Sequence, residues 1–328
     1  MPKSASTIFR IAIGLAVLAV LVLKVGHARP LERLSSARPM FILLAVVVVI
    51  ADGLVRVWNW TQLIRAMRLA PKVPYGRVLS VSWAGAFLGQ VVPSTAGTDA
   101  VRALLAARII GGPASAHAAA IVMMNALSLV VGCVTGIGCA LWFASAADGH
   151  GVRLLALATF LAALAAALVC YWLLSSQRGL LLRVLRWMRG PWRRLRRPVR
   201  RFTHKLLVFE RYHVNLLPIV AVAFLTLLTR ATMYALVGLA VGVALPFPAW
   251  VALVPAYLLS GIIPYSVAGY GGDQAAIVYM LTGFGADAAA ALVFALIVPI
   301  ITMTYNMLGG LPILAGRVDA RFRLPASN

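Results

Sequence analysis

Long apolar runs alternate with short polar punctuation along the whole chain, and their lengths divide them into two kinds. Runs near 8–25, 40–64, 115–145, 152–175, 214–244 and 288–316 are long enough to cross the roughly 30 Å hydrocarbon layer of a bilayer as helices. The stretches 78–111 and 249–285 differ, because each is broken into two arms. Arms 78–92 and 249–263 are 15 residues long and 274–284 is 11, short of the ~17–25 that a span needs. The breaks read GQVVPSTAGTDAV and GIIPYSVAGYGGDQA. Pro93 and Pro264 stop a helix, Gly97, Gly269, Gly271 and Gly272 supply hinge and cavity, and an acid, Asp99 or Asp273, follows each break. The pattern predicts two re-entrant hairpins that turn back inside the membrane. Irregular backbone survives at that depth only where protein or a wet cavity surrounds it.

Composition agrees with an all-α polytopic membrane protein forming one membrane domain, 1–328, with about six full spans plus two re-entrant helical hairpins. Hydrophobic residues make up 62% and charged residues 12%, where a soluble domain carries about a quarter charged. A membrane β-barrel needs alternating strands, and continuous Leu/Val/Ala runs stand here instead. The N-terminal apolar run resembles a signal peptide, but Gly26-His27-Ala28 is a poor cleavage site, so a retained first helix is expected.

The net charge of +22 suggests nucleic acid until its position is considered. Of 30 Lys and Arg, 12 lie between Arg178 and Arg211, beside an apolar run and with Glu210 as the sole acid. This reads as a basic amphipathic cytoplasmic loop, 176–211, meeting anionic headgroups rather than nucleic acid. Met188, Trp192, Leu195, Val199, Phe202 and Leu206 recur there at spacings of three and four, an apolar face for the membrane surface. With that loop inside, 22 basic residues are cytoplasmic, five fall outside and three lie within the membrane, which places both termini on the cytoplasmic side. Counting crossings then gives a first repeat, 40–145 with hairpin 78–111, and a second, 214–316 with hairpin 249–285, in opposite orientation. Paired breaks in an inverted-topology repeat point to a transport site near the midplane.

Of eight acids, Asp52, Asp99 and Asp273 fall at membrane depth, with Arg56, Arg102 and Arg230. Asp52 and Arg56 are four apart on one helix and Asp99 and Arg102 three apart, so each pair can meet. Arg230 and Asp273 have no local partner, and their contact is the economical expectation. Two readings of Asp99 and Asp273 stand side by side. Each can cap a helix N-terminus, or each can line a headgroup path with Ser94, Thr98, Tyr265, Ser266 and Gln274 supplying polar groups. Asn125 and Asn306 occupy matching places in the two halves, as interhelical glue or as site lining. No nucleophile–base pair, metal spacing or nucleotide motif occurs in the sequence, so neither catalysis, cofactor nor metal is expected.

The segments RVWNWTQLIRAMRL and FLGQVVPSTAGTDAVRALLAARI resemble the front half of the lysylphosphatidylglycerol synthase transmembrane-region family, the flippase-like domain of MprF-type proteins. Pro93-Ser94, Gly97-Thr98-Asp99 and Arg102 match its pattern, with Thr98 in place of a glycine. IIPYSVAGYGGDQAAI resembles its rear half, with Asp273-Gln274 where an Arg-Glu pair is commoner. The resemblance implies movement of a membrane phospholipid or isoprenoid lipid between leaflets, in a homo-oligomer or alongside envelope-synthesis enzymes. The rivals are a membrane enzyme acting on polyprenyl-phosphate-linked sugars and a non-transporting envelope scaffold.

Overall fold

Proline and capping residues set where the helices begin, and glycines set where they end. A computed structural model describes residues 30–90, 95–146, 161, 216–260, 272–316 and 318. The expected span at 8–25, nearly all of that at 152–175, the loop 176–211 and the break residues 91–94 and 261–271 lie outside the described residues. The elements are α1 (Pro30–Ser35), α2 (Pro39–Ala66), α3 (Tyr75–Gly89), α4 (Thr95–Ile109), α5 (Ala114–Ala146), α6 (Leu216–Ala240), α7 (Phe247–Ser260), α8 (Gly272–Gly283) and α9 (Ala288–Met307). A 3₁₀ turn (Leu308–Gly310) and α10 (Leu311–Leu314) follow.

Pro39 opens α2, where its missing N–H and fixed φ cost nothing. Asp287 caps α9 by accepting the Ala290 amide at 3.2 Å. Gly242 at φ +83° and Gly285 at φ +89° close α6 and α8 in the left-handed conformation. The next amides return to Gly238 O at 2.8 Å and Leu281 O at 2.9 Å.

Pro39–Ala66, Ala114–Cys139, Leu217–Val241 and Ala288–Leu314 are long and apolar enough to cross a membrane. The four helices between them are short: α3 and α4 have 15 residues, α7 has 14 and α8 has 12. At 1.5 Å per residue none exceeds about 23 Å. Each half of the described chain therefore runs long helix, two short helices, long helix.

Packing between the halves is reciprocal. The leading helices α2 and α6 lie against each other along the most extensive helix contact among the described residues. The first short helix of each half docks on the closing helix of the other: α7 on α5, and α3 on α9, the 3₁₀ turn and α10. Glycine makes both docks close. A Cβ at Gly136 would stand 2.6 Å from Pro255 Cγ, and one at Gly309 would collide with the Trp83 carbonyl.

Two apolar cores result. One joins Leu63, Ile64, Val81, Leu105 and Ile121 with Ile219 and Val318. The other gathers Leu253, Ile277, Leu281 and Leu292 around Trp250 and Phe294, whose rings stack at 5.5 Å. The chain ends of the elements sort accordingly. Arg38 donates its amide to Ala240 O at 2.9 Å and Arg33 approaches Asp287 at 3.7 Å on one edge. Met67, Val73, Ile110 and Val318 share the first core on the other.

Candidate functional site

A charged side chain in the middle of an apolar helix costs roughly 2.5–3.5 kcal/mol on insertion scales unless it is partnered. Asp52 lies midway along α2 and Arg230 midway along α6, on two helices packed against each other. Asp52 Oδ2 is 3.7 Å from Arg230 Nε, and its Oδ1 accepts the Thr229 hydroxyl at 2.7 Å. The sequence spacing had favoured Arg56 for Asp52 and Asp273 for Arg230. The packing of α2 on α6 gives Asp52 a second arginine, Arg230, while Arg56 stays within electrostatic reach of it. The Asp273 side chain lies outside the described residues.

Arg56 turns the other way, with Nη2 at 3.5 Å from Asn125 Oδ1, a long contact. Asn125 Nδ2 donates to Asp99 Oδ2 at 2.8 Å, and Asp99 Oδ1 receives Arg102 Nη1 at 3.1 Å. The chemistry fixes the amide orientation: the oxygen of Asn125 must face a guanidinium and its nitrogen a carboxylate. Arg102 and Asp99 are thus paired as their three-residue spacing predicts. Asp99 is not a cap. Helix α4 begins at Thr95, a full turn earlier, and both oxygens of Asp99 are taken by side chains.

The hairpin arms hold this pair in place through a glycine seam. A Cβ at Gly85 would come within 2.5 Å of Arg102 Cγ, and one at Gly89 within 2.8 Å of Thr98 Cα. Thr98 Oγ1 also donates to Gly89 O at 3.1 Å. Residue numbers rise on one arm as they fall on the other, so α3 and α4 run antiparallel. Gly97, part-buried, lies on α4 beside this seam.

Three residues that the sequence did not single out complete the network. Thr229 holds Asp52, as above. Trp83 Nε1 donates to the Tyr305 hydroxyl at 3.0 Å, with the rings edge to face at 6.3 Å. Tyr305 enters because Gly53, next to Asp52, has no side chain: a Cβ there would overlap the phenol oxygen. From that position Tyr305 interacts electrostatically with Arg56, Arg102 and Asp52. A tyrosine at the end of an apolar run looks like interfacial aromatic lining, so only the opposing glycine marks it, and that signal is visible only once helices are paired.

Asp52, Arg56, Asp99, Arg102, Asn125 and Arg230 therefore form one polar network built from both halves. Arg56 interacts electrostatically with the other two arginines and both aspartates. Among the described residues, three guanidinium groups face two carboxylates in this network. Asn306, part-buried, stands outside the network and its side chain makes no hydrogen bond to a described residue. Gln274 is fully buried and Gly272 heads α8. Pro93, Ser94, Pro264, Tyr265, Ser266, Gly269 and Gly271 lie outside the described residues. Among the described residues no three His, Cys, Asp or Glu side chains gather as metal ligands.

The model of a family described as the lysylphosphatidylglycerol synthase TM region matches residues 7–310. No curated protein matches the chain.

Proposed function

Because the chain belongs to the lysylphosphatidylglycerol synthase TM region family, with its membrane-lipid-related role in the cell envelope, we propose that it is a lipid flippase or transporter. It moves an anionic or headgroup-bearing envelope lipid between leaflets of a bacterial inner membrane, with both termini cytoplasmic. The observation that carries this reading is the network of Asp52, Arg56, Asp99, Arg102, Asn125 and Arg230 gathered between helices of both halves. Ionised groups at that depth mark a substrate or ion path by default. The headgroup passes along this network while acyl chains stay in the bilayer.

The reciprocal docking of α3 and α7 supports an inverted-topology repeat with hairpins entering from opposite sides. The sorting of helix ends supports it further: α3 starts and α4 ends on the edge of Val318, and α7 starts and α8 ends on the edge of Arg38 and Asp287. The basic loop 176–211 rests on anionic headgroups of the cytoplasmic leaflet and gathers the lipid there.

Reconstituted vesicles carrying labelled lipid in one leaflet test the reading. Leaflet exchange above that of protein-free vesicles is expected for at least one of an anionic, a zwitterionic and an isoprenoid lipid. Rates equal to protein-free vesicles for all three would discard it.

A further inference from the structure

The paired helices α7 and α8 are bounded by a left-handed glycine at each end. Gly242 at φ +83° precedes α7 and Gly285 at φ +89° follows α8, a conformation that glycine enters and leaves at little cost. The α3–α4 hairpin is bounded differently. Its entry turn carries Arg68 at φ +53°. Its exit turn is pinned from inside, where fully buried His117 donates Nε2–H to Gly111 O at 2.8 Å.

One side chain reaches both glycine turns of the second pair. A Cβ built on Gly242 would stand 3.8 Å from Arg33 Nη1, and Arg33 Nε lies 3.7 Å from Asp287 Oδ2, two residues past Gly285. Arg33 belongs to α1, which comes from the first half and packs on α9 of the second. Three residues beyond α1, Arg38 gives its amide to Ala240 O at 2.9 Å. Residues 32–36 are all exposed, so α1 can lift away without opening a cavity in the core. The Arg33 and Asp287 side chains are 49% and 48% exposed, so salt screens their attraction and the pair breaks readily.

We propose that α1 is a reversible strap in which Arg33 clamps the two glycine hinges of α7 and α8, and that its release lets these helices swing away from the first half. Hinges of this kind absorb large backbone changes in a few residues. The proposal rests on the reading that the halves move against each other as lipid passes, and it names the contact that regulates that motion.

Hydrogen–deuterium exchange on the full-length protein in nanodiscs tests the strap. Arg33→Gln and Asp287→Asn should each speed amide exchange across residues 241–287 by about two- to fivefold, and Arg33→Lys by less. Residues 67–117 should not change. Raising NaCl from about 50 to about 500 mM should do the same in the wild type and add nothing in either variant. Asparagine still caps α9, and Arg33→Gln touches no cap. A rise in Asp287→Asn alone therefore reports the cap and overturns the strap, as does an equal rise around both hairpins. In vesicles, Arg33→Gln should move labelled lipid about two- to fivefold faster than the wild type. Loosened helices with an unaltered lipid rate would overturn the regulatory role. Loosened helices with no leaflet exchange in any variant would remove the flippase reading and keep the strap. Leaflet exchange with residues 241–287 unchanged in Arg33→Gln would do the reverse.

Discussion

Asp52 and Arg230 are each other's answer to burial in an apolar layer, and the geometry explains why neither is dispensable alone. Removing one partner strands the other among hydrocarbon-facing helices. Breaking a fully buried pair costs about 3–5 kcal/mol. Here the side chains are 12% and 24% exposed, so a loss of about 2 kcal/mol is expected for Asp52→Asn or Arg230→Gln. The exchanged double variant, Asp52→Arg with Arg230→Asp, should recover part of it. Thermal unfolding in detergent checks this: a double variant no more stable than the worse single one would deny the pairing. This pair was not legible in the sequence, since Arg56 offered the Asp52 carboxylate a partner on the same helix and only contact between helices brings Arg230 to it. Asp99–Arg102 was legible, because three residues along one helix bring side chains together whatever the tertiary fold. The cap reading of Asp99 failed for a related reason. The helix starts before the acid, at a threonine that lies inside the motif.

Among elements, the α3–α4 hairpin shows how short helices make a rigid unit. Gly85 and Gly89 let the backbones approach, and that approach aims Asp99 and Arg102 at Asn125. Gly89→Val should push the arms apart and destabilise by about 1–3 kcal/mol. Gly76, with open space around it, should accept alanine without loss. Equal unfolding temperatures for the two variants would show that the seam does not hold the hairpin. The limits of the helices were readable to within a few residues. The stretch 78–92 is realised as Tyr75–Gly89, that at 249–263 starts at Phe247 and that at 274–284 ends at Gly283. Hydrophobic run length and Pro/Gly punctuation carry that information locally. Trp58-Asn59-Trp60, by contrast, reads as boundary aromatics, yet Trp60 and Asn59 are buried and only Trp58 is exposed. Apolar helices bury or expose aromatics according to neighbours that no local pattern reveals.

For the molecule as a whole, the two halves meet through equivalent parts. Leading helices touch, and each half's first short helix seals the other's closing helix. A site formed at that junction changes when the halves move against each other, which is what alternating exposure requires. The order of elements was visible in the sequence through the recurrence of long, short, short, long. The reciprocal docking was not, because it depends on Gly136 with Pro255 and Gly309 with Trp83, residues far apart in the chain. The proposed orientation gives a further expectation. In a cysteine-free background, Asp287→Cys should react with a membrane-impermeant maleimide from the outer side of the cell membrane and Lys72→Cys only after lysis. Labelling of both from one side would reject opposite entry of the hairpins. The most direct measurement is leaflet exchange of labelled anionic phospholipid in vesicles holding equal amounts of folded wild-type and Asp99→Asn protein. A fall of about tenfold or more is expected for the variant, the scale of one charge-assisted hydrogen bond lost from the path. Equal rates above the protein-free background would contradict passage along this network.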